Sequence, residues 1–231
     1  MTQNEVKIEL EKFADPEKAI FLKRFFKTGK GEYGEGDVFI GVKVPNQRKV
    51  AIKYKNLAMD ETVELLHSPI HEHRLTALLI WAQQFKVGDD KKRNEIFNTY
   101  LKNTKYINNW DLVDLSSEKV VGQNIIFYPE LKPNIYRICQ SKSVWDRRIA
   151  IMATFAFIRQ NQFNDTLKMA QILLYDKHDL IQKAVGWMLR EIGNRDKDTE
   201  QKFLKIFYKK MPRTTLRYAI KKSMKRSIIW Q

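Results

Sequence analysis

Five short stretches of the chain repeat one pattern, a polar residue followed by a small or apolar run. They are His73-Arg74-Leu75-Thr76-Ala77, Trp110-Asp111-Leu112-Val113-Asp114, Arg147-Arg148-Ile149-Ala150-Ile151, Gln182-Lys183-Ala184-Val185-Gly186 and Leu216-Arg217-Tyr218-Ala219-Ile220. Arg74, Asp111, Arg148, Lys183 and Arg217 within them are separated by 37, 37, 35 and 34 positions. A repeat of that length holds two helices, and an isolated helix pair cannot bury its own apolar face, so successive pairs have to stack. The spacing predicts an all-α chain: a curved solenoid of HEAT-like antiparallel helix pairs, an α-α superhelix forming one repeat domain over 1–231. The second helix of each pair would line a concave wall carrying Trp110, Asp114, Arg148 and the helix from Asp179 to Ile192.

Local signals give the same class. Apolar spacing and caps predict helices from Asn4 to Phe13, Pro16 to Lys27, Pro45 to Tyr54, Asp60 to His67, Pro69 to Phe85, Asp89 to Asn103 and Asn109 to Val121. Further helices are expected from Pro129 to Gln140, Ser143 to Arg159, Phe163 to Leu174, Asp179 to Ile192, Asp196 to Lys209 and Pro212 to Met224. No convincing alternating strand is present. Thr28 to Phe39 carries four of the nine glycines and reads as a mobile loop. Gly29, Gly31 and Gly34 match the letters of a dinucleotide fingerprint, but no strand precedes them and no helix opens after them.

Charge narrows the partner. With 42 Lys and Arg against 27 Asp and Glu, the formal charge is +15, which favours a polyanion such as nucleic acid. From Gln201 onward there is no acid and there are ten basic residues, Lys202 to Arg226, as on a cap helix facing phosphate. The lone Cys139 excludes a disulfide framework, and the polar N-terminus does not resemble a signal peptide. Apolar runs such as Leu75 to Ala82 are too short to span a bilayer. A cytoplasmic protein, nucleoid-associated when bound to DNA, is the expectation.

Two segments carry candidate chemistry. In Asn108 to Gly122, Asn108 or Asn109 suits an N-cap, Asp111 suits the positive end of the helix dipole, and Gly122 suits a stop. Trp110 and Asp114 are four residues apart and project from one face, an indole beside an anion. In Ile181 to Glu191, Lys183, Trp187 and Arg190 share a face, and Gly186 leaves room for another backbone or a ligand. His67, His71, His73 and His178 do not form a metal set, since His71 and His73 point different ways and no Cys pair joins them. Ser116 and Ser117 lack a paired His, and no lysine is marked as a Schiff-base nucleophile.

Asn109-Trp110-Asp111-Leu112-Val113-Asp114, Val144-Trp145-Asp146-Arg147-Arg148-Ile149-Ala150-Ile151 and the segment from Ile181 to Glu191 resemble the AlkD-type DNA alkylation repair family. Phe39-Ile40-Gly41-Val42 and Pro45-x-x-Arg48 upstream extend the likeness, which runs from about Pro16 to Tyr218. That resemblance implies an all-helical HEAT-like DNA glycosylase excising N3- and N7-alkylated purines. It places the catalytic carboxylate on Asp114, the two cleft indoles on Trp110 and Trp187, and the phosphate-contacting arginine on Arg148. Lys183, Arg190 and Arg48 are expected to grip DNA as well, and so is Lys43, where the family prototype carries an uncharged polar residue. The segment from Thr28 to Asp37 departs from the family pattern as an insertion. Alkylated double-stranded DNA is the implied partner, and the chain is expected to act as a monomer without cofactor, metal or membrane. Two other readings stand beside it: a HEAT-array scaffold that binds nucleic acid or acidic protein without chemistry, and an RNA-binding array.

Overall fold

A computed structural model describes residues 1–221 of the chain. Among them the elements are helical, and the one β-type contact is an isolated bridge between Val38 and Ile70. The chain divides into two compact units, Met1–Ser116 and Ser117–Gln231. No helix among the described residues is long and apolar enough to cross a membrane.

The first unit is built from α1 (Gln3–Glu11), α2 (Pro16–Phe25), α3 (Val44–Lys53), α4 (Met59–Leu66), α5 (His71–Val87), α6 (Asp90–Lys102) and most of α7 (Trp110–Ser117). The starts of α1, α2 and α6 follow their caps. Thr2 and Glu5 form a capping box on α1, and Asp15 accepts the Lys18 N–H at 3.0 Å with Pro16 opening α2. Helix α5 is buried on every side from His71 to Trp81, polar residues included. Leu75, Leu78, Ile80 and Trp81 are at most 1% exposed, and α3, α4 and α6 pack on it. Each such aliphatic side chain contributes roughly 1.5 to 3 kcal/mol by leaving water. The helix expected from Pro69 starts at His71 instead. Ile70 is extended, and the His71 N–H donates to the Val38 carbonyl at 2.8 Å, which holds the chain out of helix until that point.

The second unit holds α8 (Gln123–Phe127), α9 (Lys132–Cys139), α10 (Val144–Ala153), α11 (Phe155–Arg159), α12 (Asn164–Ile172), α13 (Asp179–Gly193), α14 (Lys197–Phe207) and α15 (Arg213–Ile220). The repeat markers Arg148, Lys183 and Arg217 fall on α10, α13 and α15. These pack in series, α10 on α13 and α13 on α15, while α9 packs on α10 and α12 on α13. That is the helix-pair stacking which the repeat demands.

Three expected boundaries are corrected. Gly122 does not stop a helix: it is itself helical and lies between a π turn, Glu118–Gly122, and α8. A Cβ there would collide with the carbonyl oxygen of Ala153, so glycine serves close packing at this position. The helix expected from Ser143 to Arg159 is broken at Thr154, whose hydroxyl donates to the Ile151 carbonyl at 2.7 Å. Helix α15 covers Arg213–Ile220 and Lys221 is extended, short of the expected end at Met224; residues 222–224 lie outside the described residues, as do Lys225 and Arg226 of the basic end.

Candidate functional site

The motif Phe39-Ile40-Gly41-Val42 turns three successive backbone N–H groups toward one carboxylate. Glu72, 1% exposed at the second position of α5, accepts from Gly41 at 2.7 Å, from Ile40 at 3.2 Å and from Val42 at 3.3 Å. Gly41 has φ +84°, which disfavours any residue with a Cβ, and a Cβ there would strike the Asp15 carbonyl. The Asp15 N–H in turn donates to the Ile40 carbonyl at 2.9 Å. This segment is therefore fixed between the start of α2 and the start of α5.

Asp37, at the end of the Gly-rich segment and 6% exposed, gathers three donors. Arg74 Nη2 reaches it at 2.6 Å, His71 Nδ1 at 3.1 Å and Asn109 Nδ2 at 3.1 Å. The other ring nitrogen of His71 faces Asp111 Oδ2 at 2.8 Å. With a carboxylate at each nitrogen, His71 has to donate from both and is an imidazolium. Burial would pull its pKa down, but Asp111 and then Asp37 outweigh burial and raise it to about 9. Burial likewise pushes the Asp37 carboxyl up, yet His71 and Arg74 hold it below its ordinary value. His73, two residues on, behaves oppositely: burial takes its pKa down to about 4, and Nδ1 shares a hydrogen bond with Ser68 Oγ at 2.9 Å.

On this buried network rests the first candidate indole. The rings of His71, Phe26 and Phe39 form a triangle with centroid separations of 4.6, 5.0 and 5.2 Å. Trp110 stacks on Phe26 at 5.3 Å and meets the edge of Phe25 at 5.9 Å. Asn109 sets the start of α7. Its carbonyl accepts from Val113, its side-chain oxygen accepts the Trp110 N–H at 2.8 Å, and its amide holds Asp37. Asp111 turns inward to His71, while Trp110 and Asp114 are half-buried and lie one turn apart on α7. Lys43 is exposed just before α3, and Arg48 is half-buried on that helix.

In the second unit Trp187 is half-buried, with its ring 6.4 Å from that of Phe155. Its indole N–H donates to Glu191 Oε1 at 3.1 Å, and the other oxygen of that 7% exposed carboxylate takes Arg195 at 3.1 Å. The room left by Gly186 is filled by backbone: a Cβ would run into the Thr215 carbonyl of α15. Arg148 is 4% exposed and donates Nη1 to the Leu180 carbonyl at 2.5 Å. Lys183 pairs with Asp179 at 2.5 Å, and Arg190 Nη1 reaches the Tyr218 carbonyl at 3.5 Å. From Lys202 to Lys221 every lysine and arginine is exposed.

Sequence reasoning missed Asp37, His71, Glu72 and Glu191. A usable signal existed at His71-Glu72-His73-Arg74, where four polar or charged residues directly precede the apolar run of the longest helix.

The sequence model of the DNA alkylation repair enzyme family matches residues 6–223. The chain belongs to that family. Solved structures share the fold of this family member at low identity. A protein described as a predicted DNA alkylation repair enzyme from Enterococcus faecalis superimposes with a TM-score of 0.70 at 16% identity, covering 90% of this chain and 95% of that one. AlkD2 from Streptococcus mutans does so with a TM-score of 0.56 at 16% identity, covering 89% and 97%. No curated protein matches the chain.

Proposed function

We propose that the protein is a monofunctional DNA glycosylase that excises N3- and N7-alkylated purines, such as 3-methyladenine and 7-methylguanine, from double-stranded DNA. The observation that carries this reading is Trp110 and Asp114, half-exposed one turn apart at the start of α7 in a DNA alkylation repair enzyme. Alkylation at N3 or N7 makes the purine cationic, so it departs as a neutral base without a general acid. The sugar gains positive charge at its anomeric carbon as the bond breaks. Asp114 stabilises that oxocarbenium ion and orients the attacking water, as the second carboxylate of a glycoside hydrolase does. The indole faces of Trp110 and Trp187 favour cationic groups by roughly 0.5 to 2 kcal/mol each.

Arg148, Lys183, Arg190, Lys43 and Arg48 bind phosphates, each neutralised phosphate adding about 0.9 to the salt slope of binding. Of these, Arg148 is 4% exposed and donates to the Leu180 carbonyl. The chemistry as drawn calls for no metal or cofactor, and the protein acts as a cytoplasmic monomer. The test is release of methylated bases from freshly methylated duplex by the purified protein. Release at a rate above spontaneous depurination supports the reading. Binding without release favours a scaffold that engages nucleic acid without chemistry.

A further inference from the structure

Helix α2 is unusual among the helices of the first unit in burying none of its residues. Its apolar side chains point outward, with Ile20 58%, Phe21 62% and Phe25 50% exposed. The two rings stack on each other at 6.0 Å, and Phe25 continues edge-on to Trp110 at 5.9 Å. An unbroken row of rings thus runs from the solvent side of α2 to the indole at the start of α7. Exposed cations follow close in sequence at Lys23, Arg24 and Lys27, while the single acid of the helix, Glu17, lies one turn before Phe21. Exposed aromatics flanked by cations are the arrangement that holds unstacked nucleotides: the rings take base faces and the cations take the backbone.

We propose that Phe21, together with Phe25, is a stacking platform for an unpaired nucleotide of a DNA strand, lying outside the Trp110–Asp114 site and flanked by phosphate contacts from Lys23, Arg24 and Lys27. The occupant is assigned from charge complementarity and from continuity of the ring row with Trp110, and so the proposal rests on the DNA-facing reading of that residue. The platform gives the protein a preference for duplex with locally unpaired bases over perfect duplex. Because a base face is offered to a ring face, the preference is independent of sequence.

The experiment is fluorescence anisotropy with a fluorescein-labelled, unalkylated duplex, fully paired or carrying a central bulge of unpaired thymines. Wild-type protein binds the bulged duplex more tightly. Phe21→Ala weakens bulged binding by about 5- to 150-fold, the range for one lost base–aromatic stack, and leaves paired binding and the salt slope unchanged. Phe21→Tyr restores the preference. Phe21 is exposed, so circular dichroism and thermal unfolding of these variants match wild type. The proposal is overturned if wild-type protein shows no preference, if Phe21→Ala weakens both duplexes equally or neither, or if sedimentation shows that Phe21 instead joins two copies of the chain. Base release without the bulge preference removes the platform and leaves the glycosylase standing. The preference without base release does the reverse.

Discussion

Trp110 and Trp187, the two indoles proposed to face the substrate, are held by different physics. Trp110 carries its ring on a wall of other rings, Phe25 and Phe26, and that wall stands on a buried ionic network of Asp37, His71, Asp111 and Arg74. Trp187 is pinned by one directional bond from its N–H to Glu191, which Arg195 holds in turn. Ring packing fixes a plane and tolerates sliding, whereas a hydrogen bond fixes a rotamer. The first arrangement draws on parts distant in sequence, since residues 37, 71 and 111 meet in it. The second is local to one helix. The Trp110 side is thus expected to be cooperative and pH-sensitive, and the Trp187 side independent of both.

The largest effect is expected at Asp37. Asp37→Ala removes the shared acceptor of Arg74, His71 and Asn109 and leaves buried cations uncompensated, a loss of about 3 to 5 kcal/mol of stability. Chemical denaturation measures it. Fluorine NMR of fluorotryptophan-labelled protein then shows the Trp110 resonance moved and the Trp187 resonance in place. Equal displacement of both would end the contrast.

Next comes pH. The pKa of His71 is raised in the folded state to about 9 from 6.5, so its contribution is fully present below about pH 6.5 and is lost as pH rises through 9. His73 has the opposite sign. Its folded pKa of about 4 gives a contribution present above 6.5 that is lost as pH falls toward 4. Unfolding followed across this range should show a decline of the order of 3 kcal/mol on the alkaline side, absent in His71→Gln. An alkaline decline of the same size in that variant would show that His71 is not its source.

Gly186→Ala sharpens the second half of the comparison. Its methyl group meets the Thr215 carbonyl and forces α13 and α15 apart, at a cost of about 1 to 3 kcal/mol seen in thermal unfolding. The smallest effect is expected for Glu191→Gln. The amide oxygen still accepts the indole N–H, so stability falls by about 1 kcal/mol and the Trp187 resonance barely moves, whereas Glu191→Ala shifts it. A large shift in the glutamine variant would mean that the charge of Glu191, rather than its acceptor geometry, holds the indole.

The repeat made the helix pairs legible, because the 34- to 37-residue spacing sets which helices stack, and α10, α13 and α15 stack accordingly. Capping residues made several helix starts legible for a local reason, as Asp15 and Asp89 show. The break at Thr154 is local, its hydroxyl donating to the Ile151 carbonyl, but other boundaries that escaped depend on partners far along the chain. Val38 delays α5, and the carbonyl of Ala153 lies behind the choice of glycine at 122. The same division runs through the site. Trp110 and Asp114 could be paired from their i,i+4 spacing, and Trp187 was legible as a residue on the exposed face of α13. The partners of Asp37 and Glu72 were not legible, because they are backbone and side-chain groups about 30 to 70 positions away. Periodicity carries no information about such contacts.

The most direct measurement compares Asp114→Asn with wild type for 7-methylguanine release from methylated duplex under single-turnover conditions, with binding to the same duplex followed in parallel. If Asp114 stabilises the charged sugar, release falls by about a hundredfold or more while affinity stays within about threefold. Release at the wild-type rate by this variant would contradict the role given to Asp114 and, with it, the mechanism proposed for the protein.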